Sequence, residues 1–234
     1  MKNVVQNFKV FLKSSFPDFS SFLEKKFVTN SKRRKKQKLF NQSSDEVIGL
    51  FFKALNESNT QFWIACGTLL GAVRENGFIK GDNDMDVGIF DDTDFNAMDS
   101  TLKKYGFSIK RRIDVYSKNG FYSFMLTYIL KGVCVDIFVF HREDEHHISM
   151  CDYAETLIIG NYTLHRYVRK IVVPFEGLME YDFMGHKVHI PKNYQEYLAA
   201  HYGKDFMTPN PNWGVWDSPA LQVVEGAIGL EVRE

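Results

Sequence analysis

The sequence predicts an α/β chain of the α+β kind: one mixed β-sheet flanked by helices, preceded by a basic helical extension. Apolar residues recur at helical spacing in a few stretches only, near the N-terminus and around residues 47–55. Between residues 62 and 190, several apolar runs have strand length and end at Gly-containing turns. Charge is divided along the chain. Residues 1–40 hold 11 Lys/Arg against Asp18 and Glu24, whereas residues 41–234 hold 18 Lys/Arg against 27 acids, so +9 faces −9 at zero formal net charge. On this basis residues 1–45 form a basic amphipathic extension and residues 46–234 a single body.

In order, Val4, Phe8, Phe11 and Leu12 and then Phe16, Phe19, Phe22, Leu23 and Phe27 read as two short amphipathic helices broken at Pro17. The run Lys32 to Lys38 follows. Val47, Ile48, Leu50, Phe51, Phe52, Ala54 and Leu55 predict a core-facing helix over 45–59, with Ser44 or Asp45 as N-cap. Phe62 to Cys66 reads as a short strand leading into a Gly turn. Met85 to Phe90 reads as a strand, and Asp91, Asp92 and Asp94 read as capping acids for a helix to about Tyr105. Three strands follow, over 107–116, 121–130 and 133–140, with Lys131-Gly132 turning an antiparallel hairpin. A small hairpin turns at Gly185, a helix runs from Asn193 to Tyr202 and stops at Gly203, and a Pro/Trp/Asn-rich loop spans 208–219.

The 44% hydrophobic content, with 21 Phe and 11 Tyr, is enough for a substantial core. Cys66, Cys134 and Cys151 are an odd set without CxxC spacing, which argues against a disulfide framework and a structural zinc site. No apolar run approaches the ~20 residues that cross a bilayer, and no signal-peptide pattern opens the chain. The expected location is cytoplasmic, peripheral on the inner face of a bacterial plasma membrane.

The most informative stretch is Gly67-Thr68-Leu69-Leu70-Gly71-Ala72-Val73-Arg74 followed by Asp82-Asn83-Asp84-Met85-Asp86. In an extended strand residues i and i+2 share a face, so Asp84 and Asp86 project together. Converging carboxylates repel unless a cation intervenes, and hard oxygen ligands suit Mg²⁺ or Mn²⁺. Val133 to Phe140 is apolar except at Asp136, and a carboxylate in such a strand needs a partner or an ion. If that strand neighbours Met85–Phe90, Asp136 completes a triad with Asp84 and Asp86. Asp82 shares their parity but follows Gly81, and reads equally as a loop cap or as part of the site. Gly67 and Gly71 allow close backbone approach, amides at the helix start can hold a phosphate, and Thr68 adds a hydroxyl. Arg74 can grip phosphate bidentately or pair with Glu75; Lys80 has the same two options. A phosphate-cradling turn beside a divalent-ion site suits phosphoryl or nucleotidyl transfer.

These residues resemble the LicD/fukutin family. The block Phe62 to Arg74, then Gly77-Phe78-Ile79, Asp82 to Val87, Val135-Asp136-Ile137-Phe138, Pro191, Tyr197-Leu198 and Tyr202-Gly203 are similar to its successive motifs, over roughly 47–210. Two features depart from it: Lys80-Gly81 stands where the family has Pro-Trp, and no cysteine-rich insert is present. The resemblance implies a nucleotidyltransferase-like fold and transfer of a phospho-alcohol such as phosphocholine, ribitol phosphate or glycerol phosphate. It implies a CDP-activated donor and, as acceptor, a hydroxyl of a capsule, lipopolysaccharide or teichoic-acid type glycan carried in many cases on lipid. It also implies a divalent metal at Asp84, Asp86 and Asp136, with Asp82 near the site. Asp136 or Asp82 is the candidate to take the acceptor's proton.

Two competing readings use the same residues: a nucleotidyltransferase moving NMP from an NTP to a small molecule, protein or RNA, and an inactive, membrane-associated assembly factor. The basic residues within 1–40 point to an anionic membrane surface, ahead of nucleic acid. His141, ending the Asp136 strand, is a further candidate to face the site. Trp213, Trp216, Asn210 and Asn212 either line a sugar or alcohol pocket or pack the C-terminal loop.

Overall fold

Among the described residues the first helix starts at Pro17. The computed structural model describes residues 17–232, and the side chains of residues 34–231 except 155; the helix expected before Pro17 lies outside them. Helix α1 runs unbroken over Pro17–Glu57, 41 residues and about 60 Å. A proline is tolerated in a first helical turn because its missing N–H has no partner there. The expected second short helix and the separate helix over 45–59 are thus one element. Ser44 and Asp45 sit inside it, where no N-cap can form, since a cap residue needs non-helical backbone. Strong helix formers from Lys35 to Leu39 carry the backbone through. The buried stripe of Phe40, Val47, Ile48, Phe51, Phe52 and Leu55 holds it to the core. Each such side chain adds about 2 kcal/mol by burial.

Strand β1 (Phe62–Ile64), helix α2 (Cys66–Glu75), strand β2 (Asp84–Phe90) and helix α3 (Phe95–Lys104) follow. Asp94 caps α3 as expected, accepting from the amides of Asn96 and Ala97 at 3.1 and 3.0 Å. Strands β3 (Ser108–Ser117), β4 (Tyr122–Leu130) and β5 (Val133–Arg142) lie within a few residues of expectation. Lys131 and Gly132 both take positive φ, +51° and +82°, which suits the tight turn joining β4 to β5. Strands β6 (His147–Ile159) and β7 (Tyr162–Pro174) form a long hairpin that the sequence patterns do not predict. Strands β8 (Leu178–Phe183) and β9 (His186–Pro191) form the small hairpin at Gly185, and helix α4 (Tyr194–Tyr202) stops at Gly203. The Pro/Trp/Asn loop contains one 3₁₀ turn, Val215–Asp217. Two short strands follow, β10 (Leu221–Val223) and β11 (Ala227–Val232), which the sequence patterns do not predict.

The large sheet runs β1-β2-β5-β4-β3-β11-β7-β10, and β6 bridges β5 and β7. Strands β5-β4-β3-β11-β7-β6 therefore form a closed circuit around a second small core of Val115, Cys151, Val168 and Ala227. The β2–β5 pair is parallel and its neighbours are antiparallel, so the sheet is mixed, as expected. All three cysteines are free and buried. Among the described residues no helix is long and apolar enough to cross a membrane.

Candidate active site

The parallel register of β2 and β5 sets Asp86 directly opposite Asp136, and the next strand sets Thr127 opposite Asp136. The expected neighbourhood of the two acidic strands is what the fold delivers. Parity puts Asp84, Asp86, Gly88 and Phe90 on one face of β2. The polar end of that face holds the acids. Its other end is sealed by Trp63, fully buried against Phe90 and Phe140.

The turn from β1 into α2 shapes the floor beneath the acids. Cys66 is held at φ +43°, uncommon for a residue with a Cβ, and Gly67 follows. The Gly67 amide donates to Asp86 Oδ2 at 2.9 Å. A Cβ on Gly67 would lie 3.1 Å from Asp86 Oδ2 and 3.5 Å from Asp82 Oδ2, so the bare glycine lets both carboxylates close over the helix start. Thr68 is fully buried, and its Oγ1 accepts from the Asp86 amide at 2.8 Å. The hydroxyl aligns β2 and does not reach a solvent-facing phosphate, contrary to expectation. Gly71 faces the loop after α2, where a Cβ would meet Gly77 O at 2.5 Å and Ile79 N at 2.9 Å; its lack of a side chain serves that packing.

Four carboxylates thus crowd one spot. Burial first, then the charges of Asp136, Asp84 and Asp82, pushes Asp86 well above the carboxylate range; the Gly67 hydrogen bond only partly opposes this. Asp136 is raised by burial, opposed by the Thr127 hydroxyl at 2.6 Å and by Arg111 at 3.8 Å. Asp82 is pushed up to about 7 by burial, then by the charge of Asp84 and a hydrogen bond with it. Its peptide oxygen accepts from Gln37 at 2.6 Å. Asp84 Oδ2 takes the Lys36 ammonium at 2.7 Å.

A raised Asp82 means that the folded chain holds its proton more tightly than the unfolded chain. The related stability is complete below the ordinary value of 3.8 and is lost as pH rises toward about 7. The melting temperature of the metal-free protein should therefore fall across that window. Asp82→Asn should flatten the fall by about 2 kcal/mol. A slope identical in wild type and variant would count against this origin.

The donor set is hard oxygen with excess negative charge, which fits Mg²⁺ or Mn²⁺. As it stands the set is not closed around one point: among the described residues no three His, Cys, Asp or Glu side chains converge as ligands. Lys36 holds Asp84, Gly67 holds Asp86, and Thr127 holds Asp136. The expected triad is therefore assembled strand by strand but turned toward protein partners.

A cavity of about 1180 Å³ borders the cluster at Gly67 and is lined by Arg74, Lys80, Lys204, Tyr202, Asn210 and Trp213, among others. Arg74 pairs with Glu75 at 2.9 Å, the blander of the two options for it, yet its side chain is only 10% exposed and its Nε is buried without a partner. Trp213 packs on Tyr202 at 4.6 Å between centroids and lines the cavity. Trp216 does not; it lies under the Arg169 guanidinium at 3.4 Å. His141 is bound by Asp91 and Ser123, both at 2.9 Å, and its odd offset from Asp136 turns it to the other face of β5. Lys36 and Gln37 are the site residues that sequence reasoning missed. They stand out only once α1 is known to be continuous.

A family model described as LicD/FKTN/FKRP, nucleotidyltransferase domain, matches residues 59–193, from before β1 to the start of α4. The chain is similar to Ribitol-5-phosphate transferase FKTN of Macaca fascicularis, 28% identical over 77% of this chain and 36% of the relative. It is similar to the Homo sapiens protein of the same name, 27% identical over the same shares. An uncharacterized protein of Rickettsia typhi is 34% identical over 48% of this chain and 35% of its own length. The chain spans about a third of the length of these relatives.

Proposed function

Because the chain belongs to the LicD/FKTN/FKRP family through its nucleotidyltransferase domain, we propose that it is a phosphotransferase moving a phospho-alcohol from a CDP-activated donor to a glycan hydroxyl. The nucleotidyltransferase-like fold is part of this reading. The observation that carries it is the Asp86–Asp136 pair, joined across parallel strands above Gly67 and beside a cavity holding a buried guanidinium. The FKTN relatives, named for ribitol-5-phosphate transfer, support the reaction class.

Asp84, Asp86 and Asp136 would hold the divalent ion, which would neutralise the diphosphate and ease departure of CMP. Arg74 and Lys80, on the cavity wall, are suited to grip the diphosphate oxygens, Arg74 with its unpartnered Nε. Tyr202 and Trp213 offer aromatic surface to the base. The acceptor oxygen forms a bond to the phosphorus bearing the alcohol, the bond to CMP breaks, and the hydroxyl proton passes to a carboxylate. Asp82 suits that role better than Asp136. Asp82 lies next to the ion ligands without being one of them, whereas Thr127 and Arg111 already occupy Asp136.

The test is a donor screen: CDP-ribitol, CDP-choline and CDP-glycerol against the four NTPs, with capsule, lipopolysaccharide and teichoic-acid oligosaccharides, with and without Mg²⁺. CMP release from a CDP-alcohol only with Mg²⁺ and acceptor is expected. Pyrophosphate release from an NTP would transfer the site to nucleotidyl chemistry, and no turnover with any pair would favour a non-catalytic role.

A further inference from the structure

The basic run of α1 does not lie wholly on its solvent side. Arg34, Lys35 and Lys38 are exposed, but Lys36 turns inward to Asp84 and Gln37 reaches the peptide oxygen of Asp82. One turn on, Phe40 is buried against Phe78 at 4.9 Å between centroids and fixes this face of the helix. An ammonium and an amide thus clamp two alternate acidic positions of the segment that enters β2. Both residues lie on α1, before the stretch that matches the family model.

We propose that Lys36 is an internal counter-ion of the carboxylate cluster and competes with a divalent cation for Asp84. The inference rests on the metal reading given above. The ammonium sits on Asp84 Oδ2 at 2.7 Å, and a metal ion and an ammonium cannot share that oxygen without like-charge repulsion. Lys36 and Asp84 are 33% and 31% exposed, so an ion can approach from solvent, and a flexible four-carbon stem can withdraw. Release of Lys36 also frees one of the two polar contacts tying this turn of α1 to Asp82 and to Asp84 at the start of β2. Ion binding should therefore loosen the helix there.

The test uses the purified full chain and Mn²⁺, with free ion followed by electron paramagnetic resonance. Lys36→Met keeps the stem and removes the charge, and should bind Mn²⁺ about tenfold more tightly than wild type. Amide exchange over residues 34–40 of wild type should accelerate when Mn²⁺ is added, a readout that needs no variant. Equal or weaker Mn²⁺ binding by a folded Lys36→Met, or exchange unchanged by Mn²⁺, overturns the competition while leaving the metal reading standing. Failure of both proteins to bind Mn²⁺ overturns the metal reading and the competition together.

Discussion

Asp86→Asn should lower transfer by at least about a thousandfold and at the same time make the metal-free protein more stable. The two effects have one cause. Asp86 is held among Asp82, Asp84 and Asp136 with one amide to offset them, so its charge is costly until a cation arrives. The amide of an Asn keeps an oxygen for the Gly67 N–H and removes the repulsion, which should raise the melting temperature by about 3 °C. It also removes a hard anionic ligand from the centre of the cluster. Calorimetry without metal and CMP release with Mg²⁺ check the two halves. Activity within tenfold of wild type would remove Asp86 from the chemistry, and a lowered melting temperature would contradict the account of crowding.

Gly88→Ala should destabilise the fold by about 3 kcal/mol or more. Gly88 pairs with Trp63 across β1 and β2, and the indole lies over the bare Cα. A Cβ would meet Trp63 Cε2 at 2.4 Å, Cζ2 at 2.6 Å and Nε1 at 2.7 Å. Trp63 has nowhere to move, being fully buried with Phe90, Phe140 and Phe175 around it. Gly88 sits two residues from Asp86 on the same strand face, so strain there should disturb the cluster as well. Gly77→Ala is the control: a Cβ there meets nothing within 4 Å, and the change should stay within about 0.5 kcal/mol. Chemical denaturation of the pair measures the difference, and equal midpoints would show that the β1–β2 packing is looser than described.

The parts of the molecule that short-range patterns encode were readable in advance. Strand periodicity put Asp84 and Asp86 on one face, and the apolar run around Asp136 marked its strand as interior; the parallel pairing then joined them. Turns with obligatory positive φ, at Lys131-Gly132 and Gly185, located two hairpins. Other parts depended on what packs against what. Ser44 and Asp45 carry a cap signal, but the buried stripe from Phe40 to Leu55 keeps the helix continuous through them. The β6–β7 hairpin escapes period-2 patterning because its strands mix polar and apolar residues, and His165 and Arg169 are buried among them. Its Gly160-Asn161 turn, with Gly160 at φ +58°, was the signal that could have found it. Thr68 and Gly71 show the opposite failure. The motif was legible, but their contacts with Asp86 and with the Gly77–Ile79 backbone emerge only in three dimensions.

Crystals grown with Mn²⁺ and a CDP-alcohol, examined by anomalous scattering at the manganese edge, test the central claim most directly. The account predicts a manganese peak within ligand distance of Asp84, Asp86 and Asp136, touching the donor diphosphate, with Arg74 on the phosphate oxygens. A donor bound in the cavity with no manganese at these carboxylates, or manganese bound only elsewhere, would contradict it.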